Sequence, residues 1–270
     1  MTQQISKLGV ALCSGAIGVM AATSSMAADK VSGNLGVSYN SHFISYGADV
    51  WAGGTEFFGD RSTTFAFADV SIQATDDLSV YTGVWADIND NTNSAIGGTL
   101  QEVDWFIGAA YSIDAVTVSA TYQAWLYAGD VEEILDFGLS YDDSALLGDW
   151  AMSPSVTWHI RTQGNGTQAE GSVLVLGVSP GFDLTETVSV SIPAGIGIFL
   201  DDDFQGGTDG GYAYSYLGAS VGVPLSFISD DYGSWAMNFD LIGYTTDDDA
   251  IPGNPDETFL TGSVGLSMAF

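Results

Sequence analysis

The sequence predicts an all-β protein, a closed antiparallel transmembrane up-and-down β-barrel of about twelve strands. Three observations predict it. From Thr258 to Phe270 the chain alternates, with Phe270, Met268, Leu266, Val264 and Leu260 on one face and Ala269, Ser267, Gly265, Ser263 and Thr261 on the other. That is the period of a strand with one apolar and one polar side. Past the N-terminal segment, no run approaches roughly 18 uninterrupted apolar residues, and Gly and Pro break every candidate helix. What recurs instead is a unit of about 20 residues, an apolar or alternating stretch followed by a polar patch, and it recurs about twelve times.

The first residues read as an export signal. Lys7 stands in a short basic region, an apolar run extends from Leu8 to Ala22, and Ser25-Met26-Ala27 has the small-x-small form of a cleavage site. Residues 1–27 are therefore expected to be a cleaved signal peptide and 28–270 a single barrel domain. Cys13 is the only cysteine and lies inside that run. The exported chain is thus expected to have no disulfide and no cysteine-based metal site.

Charge excludes one class of partner. Beyond the signal only Lys30, Arg61 and Arg161 are basic, against 34 acidic residues, which leaves a net charge of about −31. No nucleic acid is expected to bind such a surface. The runs Asp201-Asp202-Asp203 and Asp247-Asp248-Asp249 read as solvated loop tips, with divalent cations as a sharper reading of the same acids.

In order, the expected strands are 31–45, 63–74, 78–88, 102–113, 115–127, 132–141, 151–161, 170–179, 187–200, 212–225, 234–245 and 257–270. Turn signals fall between them at Thr75-Asp76-Asp77, Ile113-Asp114-Ala115, Pro180-Gly181-Phe182-Asp183 and Asp230-Asp231-Tyr232-Gly233. Longer polar connectors such as Asn89 to Gln101, Asp201 to Gly211 and Thr246 to Asp256 alternate with these tight turns. Long loops on one side and short turns on the other, with an even strand count, place both termini at the short-turn end. The connectors after the fifth and sixth strands break the alternation, one too short and one too long.

Charge sets the registers. In the second strand Phe65 and Phe67 share a face with Asp69, and a charge facing lipid costs about 1–4 kcal/mol with depth. Ala66, Ala68, Val70 and Ile72 are therefore expected to face out. The same reasoning turns Val156, Trp158 and Ile160 outward in the seventh strand and Thr157, His159 and Arg161 inward. In the eleventh it turns Trp235, Met237, Phe239 and Leu241 outward and Asn238 and Asp240 inward. Val173-Leu174-Val175-Leu176 in the eighth does not discriminate.

The resulting lumen face is Asn34, Ser38, Asn40, His42, Asp69, Gln73, Tyr81, Asp87, Asp104, Thr121, Gln123, Asp136, His159, Arg161, Asn238 and Asp240, with Tyr212, Tyr214 and Tyr216. Trp85, Trp105, Trp125, Trp150, Trp158, Trp235, Tyr122 and Tyr244 recur near strand ends as interfacial girdle residues do, although Trp85 and Trp125 fall on the inward register. A catalytic reading has only His42 and His159 as bases. Strand alternation sets Ser41 on the face opposite His42, and no nucleophile elbow or phosphate loop is present. No enzyme activity, catalytic residue or cofactor is therefore expected.

The terminal aromatic on an alternating strand resembles the C-terminal signal strand of bacterial outer-membrane barrels. The opening text Gly33-Asn34-Leu35-Gly36-Val37-Ser38-Tyr39-Asn40-Ser41-His42-Phe43-Ile44-Ser45-Tyr46-Gly47 and the later Val80-Tyr81-Thr82-Gly83-Val84-Trp85-Ala86-Asp87 resemble a family of small porin-like proteins of Gram-negative bacteria with about twelve strands. That family often has an Arg-Gly pair near the end of its first strand; Phe43-Ile44-Ser45 stands there instead. The resemblance implies the outer membrane, with lipid, lipopolysaccharide and the barrel-assembly machinery as partners, the last through the strand ending in Phe270. The acidic lumen then implies a passive channel for small polar or cationic solutes, with Asp69, Asp87, Asp104, Asp136, Asp240, His159, Arg161 and His42 as lining groups. The alternatives are a plugged structural barrel with cation-binding acidic loops and a secreted β-sandwich.

Overall fold

In the computed structural model, residues 30–270 apart from 167 and 186 are described. The signal segment proposed from the sequence lies outside them. The strands are β1 (Val31–Asn40), β2 (Thr63–Gln73), β3 (Leu78–Ile88), β4 (Leu100–Ile113), β5 (Val116–Tyr127), β6 (Asp130–Tyr141) and β7 (Ser155–Gln163). The second half begins with β8, in two parts (Gly171–Val178 and Gly181–Asp183), and β9, also in two parts (Ser189–Ser191 and Ala194–Phe199). It ends with β10 (Gly211–Pro224), β11 (Ser234–Thr246) and β12 (Thr258–Ala269).

Each strand pairs antiparallel with its neighbours in sequence, and β12 pairs with β1 from Asn34↔Ala269 to Asn40↔Ser263, so the sheet closes. The fold is a twelve-stranded barrel with no free edge. The breaks in β8 and β9 fall at Pro180 and Pro193, which have no N–H to give to a ladder. Their carbonyls still accept, from Ile192 at 2.8 Å and Gly218 at 2.9 Å.

The pleat sorts the side chains as charge requires. Leu35, Val37 and Tyr39 of β1, Trp158 of β7, Phe239 and Leu241 of β11, and Leu260, Val264 and Leu266 of β12 are exposed on the outside. Asp69, Asp87, His159, Arg161 and Asp240 lie on the opposite, inward register. Val173 and Val175 of β8, undecided from the sequence, pair across from the inward His159 and Thr157 and are buried.

Several expectations need correction. The turn expected at Pro180-Gly181-Phe182-Asp183 is only a break within β8, because Gly181–Asp183 resumes the ladder against Ser189–Ser191. The first strand leaves the ladder at Asn40 rather than at residue 45, because Ile44–Ser45 folds back on Ala48–Asp49. The turn is Tyr46-Gly47, with φ of 48° and 83°, the left-handed pair that a tight two-residue hairpin requires. Tyr212 points outward. The β9–β10 register shifts between Gly197 and Ile198, which sets Tyr212 opposite Ile198 and leaves only Tyr214 and Tyr216 inside. Tyr244 is no girdle residue either: it is buried inside and stacks on Phe259 at 5.5 Å.

The start of β1 at Val31, the end of β12 at Ala269 and the connectors 74–77, 114–115, 142–154 and 225–233 share one end of the barrel. The connectors 41–62, 89–99, 128–129, 164–170, 200–210 and 247–257 share the other, which carries the inserted structure described next.

Candidate functional site in the lumen

The interior divides along the barrel axis. Toward the end where β1 begins and β12 ends, many inward positions are small or polar and partly exposed, among them Asn34, Ser38, Asp69, Gly83, Gly108, Thr121, Asn238, Asp240 and Ser263. Phe106 and Tyr81 pack over Gly83 and Gly108 on the same inward face and are 2% and 3% exposed. Toward the loop end, Tyr46, His159, Phe199, Phe204, Tyr214 and Ile251 are each no more than 1% exposed. A polar vestibule therefore leads to a packed septum.

The segment 41–62 builds the septum by turning into the barrel. Its hairpin tip is Tyr46-Gly47, and Gly47 lies so close to Tyr214 and Ile251 that an added Cβ would meet their side chains at 2.7 and 2.8 Å. Asn254 of the last loop holds this hairpin, donating to the Gly47 carbonyl at 2.9 Å and accepting from the Asp49 N–H at 2.7 Å. Gln205 donates to the Ser45 carbonyl at 2.9 Å. Trp51 donates its indole N–H to Asp87 at 2.9 Å.

Below the tip lies a connected polar group. Tyr46 Oη lies 2.6 Å from Nδ1 of His159, and the same nitrogen lies 2.6 Å from Asp136. Gln123 donates to the other Asp136 oxygen, and Trp125 donates to Gln123 at 3.0 Å. These side chains come from β5, β6, β7 and the inserted loop, so one network ties three wall strands to the septum. Buried polar groups connected in this way fix one arrangement of a core.

Beside it, Arg161 donates to Glu132 at 2.7 Å and to the carbonyls of Phe204 at 2.6 Å and Ala169 at 2.9 Å. Its guanidinium lies 4.1 Å over the Phe204 ring. Tyr127 donates to the second Glu132 oxygen at 2.6 Å. The pair is buried on both sides, where losing one partner is costly.

The candidate residues thus occupy different settings. Asp69 and Asp240 face the vestibule; Asn34 donates to Asp69 at 3.1 Å, and Ser263 donates to Asp240. Asp87 is buried at the loop end, held by Thr63, Trp51 and by Asn89 at 3.0 Å. Asp104, Asp136, His159 and Arg161 are buried at the septum. Phe270 lies at the seam, where its backbone exchanges two 3.0 Å hydrogen bonds with Gly33.

His42 is not a strand residue, and the alternation argument about Ser41 fails with it. Ser41 Oγ lies 2.8 Å from His42 Nδ1 and accepts from the Gly262 N–H at 2.8 Å; His42 Nε2 lies 3.0 Å from the Gly54 carbonyl and 3.9 Å from Asp49. The composition is that of a hydrolytic triad, but Ser41, His42 and Asp49 are all buried. The nearest partner of Nε2 is a carbonyl, so the ring donates there and accepts from Ser41. The chain Gly262 to Ser41 to His42 to Gly54 ties the inserted loop to β12.

Glu102, Glu132, Tyr46 and Phe204 were not singled out from the sequence. Glu102 and Glu132 were legible, since they share the parity of Asp104 and Asp136 two and four residues on. Tyr46 and Phe204 sit in connectors, where no periodicity says which way a side chain points.

Neither a protein-family model nor a curated protein matches the chain. Solved structures do. An outer membrane channel from Pseudomonas putida F1 aligns with a TM-score of 0.52 at 12% identity, over 90% of this chain and 97% of that one. The NanC porin aligns with a TM-score of 0.50 at 9% identity, over 87% and 98%. The likeness is one of fold.

Proposed function

We propose that the protein is an outer-membrane barrel acting as a passive, porin-like channel for small polar or cationic solutes, with the inserted loop setting its bore. The observation that carries this reading is a closed barrel with an apolar exterior and a partly exposed polar vestibule in which Asp69 and Asp240 stand without a basic partner. Carboxylates in a low-dielectric wall raise the local concentration of cations and repel anions. The fold likeness to an outer membrane channel and a porin supports the same reading. In that role its partners are lipid, lipopolysaccharide, small solutes and, during assembly, the machinery that takes up the strand ending at Phe270.

The burial of Tyr46 and its neighbours favours a second reading, a structural barrel plugged at the loop end. Planar-bilayer recording of refolded protein separates the two. The channel reading expects small cation-selective steps that enlarge when residues 44–56 are replaced by a short linker. No conductance from either protein would establish the plugged barrel instead.

A further inference from the structure

Two carboxyl groups in the barrel wall lack the donors that every comparable acid has. Asp87 is held by Thr63, Trp51 and Asn89, Glu132 by Arg161 and Tyr127, and Asp136 by Gln123 and His159. Glu102 and Asp104 stand two residues apart on β4, hence on one inward face, and are only 8% and 5% exposed. They lie within hydrogen-bonding reach of each other. Oδ1 of Asp104 is buried with no hydrogen-bond partner.

Among the described residues no cation answers them. The charges that act on Asp104 are Glu102, Glu132 and Asp87, all acidic, and Arg161 is committed to Glu132. The other basic groups among the described residues, Lys30 and Arg61, are exposed. Two adjacent carboxylates buried to this degree, with neither donor nor counter-charge, are strongly disfavoured. We propose that Glu102 and Asp104 form a binding site for a hard, oxygen-liking divalent cation of the calcium class. Two carboxylates supply two negative charges, and an all-oxygen donor set selects calcium-like ions over zinc or copper, with water able to complete the coordination. The site lies in the wall beside the septum, away from the half-buried Asp247 and the exposed Asp248 and Asp249, whose carboxylates also converge.

Terbium luminescence tests this directly, because Trp85 and Trp125 are the cross-strand partners of Asp104 and can sensitise a lanthanide held there. Protein refolded with terbium should show tryptophan-sensitised emission that calcium displaces. Glu102→Gln with Asp104→Asn should weaken terbium affinity by at least about tenfold, whereas Asp247→Asn, Asp248→Asn and Asp249→Asn together should leave the sensitised signal in place. Absence of the signal, its survival in the double variant, or its loss with the loop variant would overturn the proposal; the first result would mean that the two carboxyls share a proton. Should the double variant fail to fold, equilibrium dialysis of the triple loop variant against calcium decides, with one tightly held ion expected and none overturning. The site stands or falls whether or not the barrel conducts.

Discussion

The phenol of Tyr46 meets the imidazole of His159 at 2.6 Å across 113 residues of sequence, with the ring centroids 4.0 Å apart. Tyr46 is the tip of the inserted hairpin and His159 belongs to the wall, so this contact joins the septum to the barrel. Tyr46→Ala removes both the ring and the hydrogen bond and should destabilise the barrel by about 3–5 kcal/mol, the range for a buried aromatic. It should also enlarge single-channel conductance, whereas Tyr46→Phe, which keeps the ring, should change conductance much less. Urea unfolding and bilayer recording on the same preparations check both.

Arg161 and Glu132 should behave as a buried pair. Arg161→Met alone leaves the Glu132 carboxylate enclosed beside Tyr127 and is expected to cost about 3–5 kcal/mol. Adding Glu132→Gln should restore much of that loss. A double-mutant cycle in urea measures the coupling, and additive effects would show that the pair does not act as one.

Leu241 and Asp240 are adjacent on β11 but on opposite faces of the wall. Leu241→Arg sets a charge on the apolar exterior and should cost about 2–4 kcal/mol at mid-depth. Asp240→Asn keeps an acceptor for Ser263 and should assemble normally while reducing preference for cations. Folded fraction by heat-modifiable gel mobility and reversal potentials in a salt gradient test the pair.

Phe270→Ser should impair membrane assembly while leaving export intact. Its backbone bonds to Gly33 survive any side-chain change, but the apolar face of β12 loses its last residue. Fractionation showing the variant in the membrane at the normal level would contradict this.

Acid should loosen the 142–154 connector first. Asp143 accepts from the Met152 and Ser153 N–H groups at 3.0 Å, and these backbone bonds hold its carboxyl below the usual range. A value lower when folded than unfolded contributes stability that is full above the unfolded range, near pH 4, and is lost as pH falls through the folded value. Hydrogen-exchange protection at Leu146–Met152, taken relative to the intrinsic exchange rate at each pH, should therefore stay constant from pH 7 to about pH 5 and fall below about pH 4. Asp143→Asn should show the lower protection at every pH.

Much of the fold was legible because an apolar exterior and a polar interior impose opposite demands on alternate residues. Asp69 overruled Phe65 and Phe67, and Asp240 fixed β11, since only one parity keeps a carboxylate out of the apolar exterior. Where both parities were apolar, at Val173 to Leu176, or where a bulge added a residue, at Tyr212, alternation gave no answer or a wrong one. The candidate acids were legible as inward positions, but not their division between vestibule and septum, which depends on what else enters the barrel.

The sequence by itself determined the strand number and order and, outside β8 and the start of β10, the two chemical faces, because these follow from periodicity and the cost of misplacing a charge. The tertiary structure alone decided that residues 41–62 turn inward, that Ser41 and His42 meet, that Tyr46 caps the Asp136–His159 pair and that Glu102 and Asp104 are left without donors. Those are contacts between residues far apart in the chain or beyond the end of a strand, and no local pattern specifies a partner that only ring closure brings within reach.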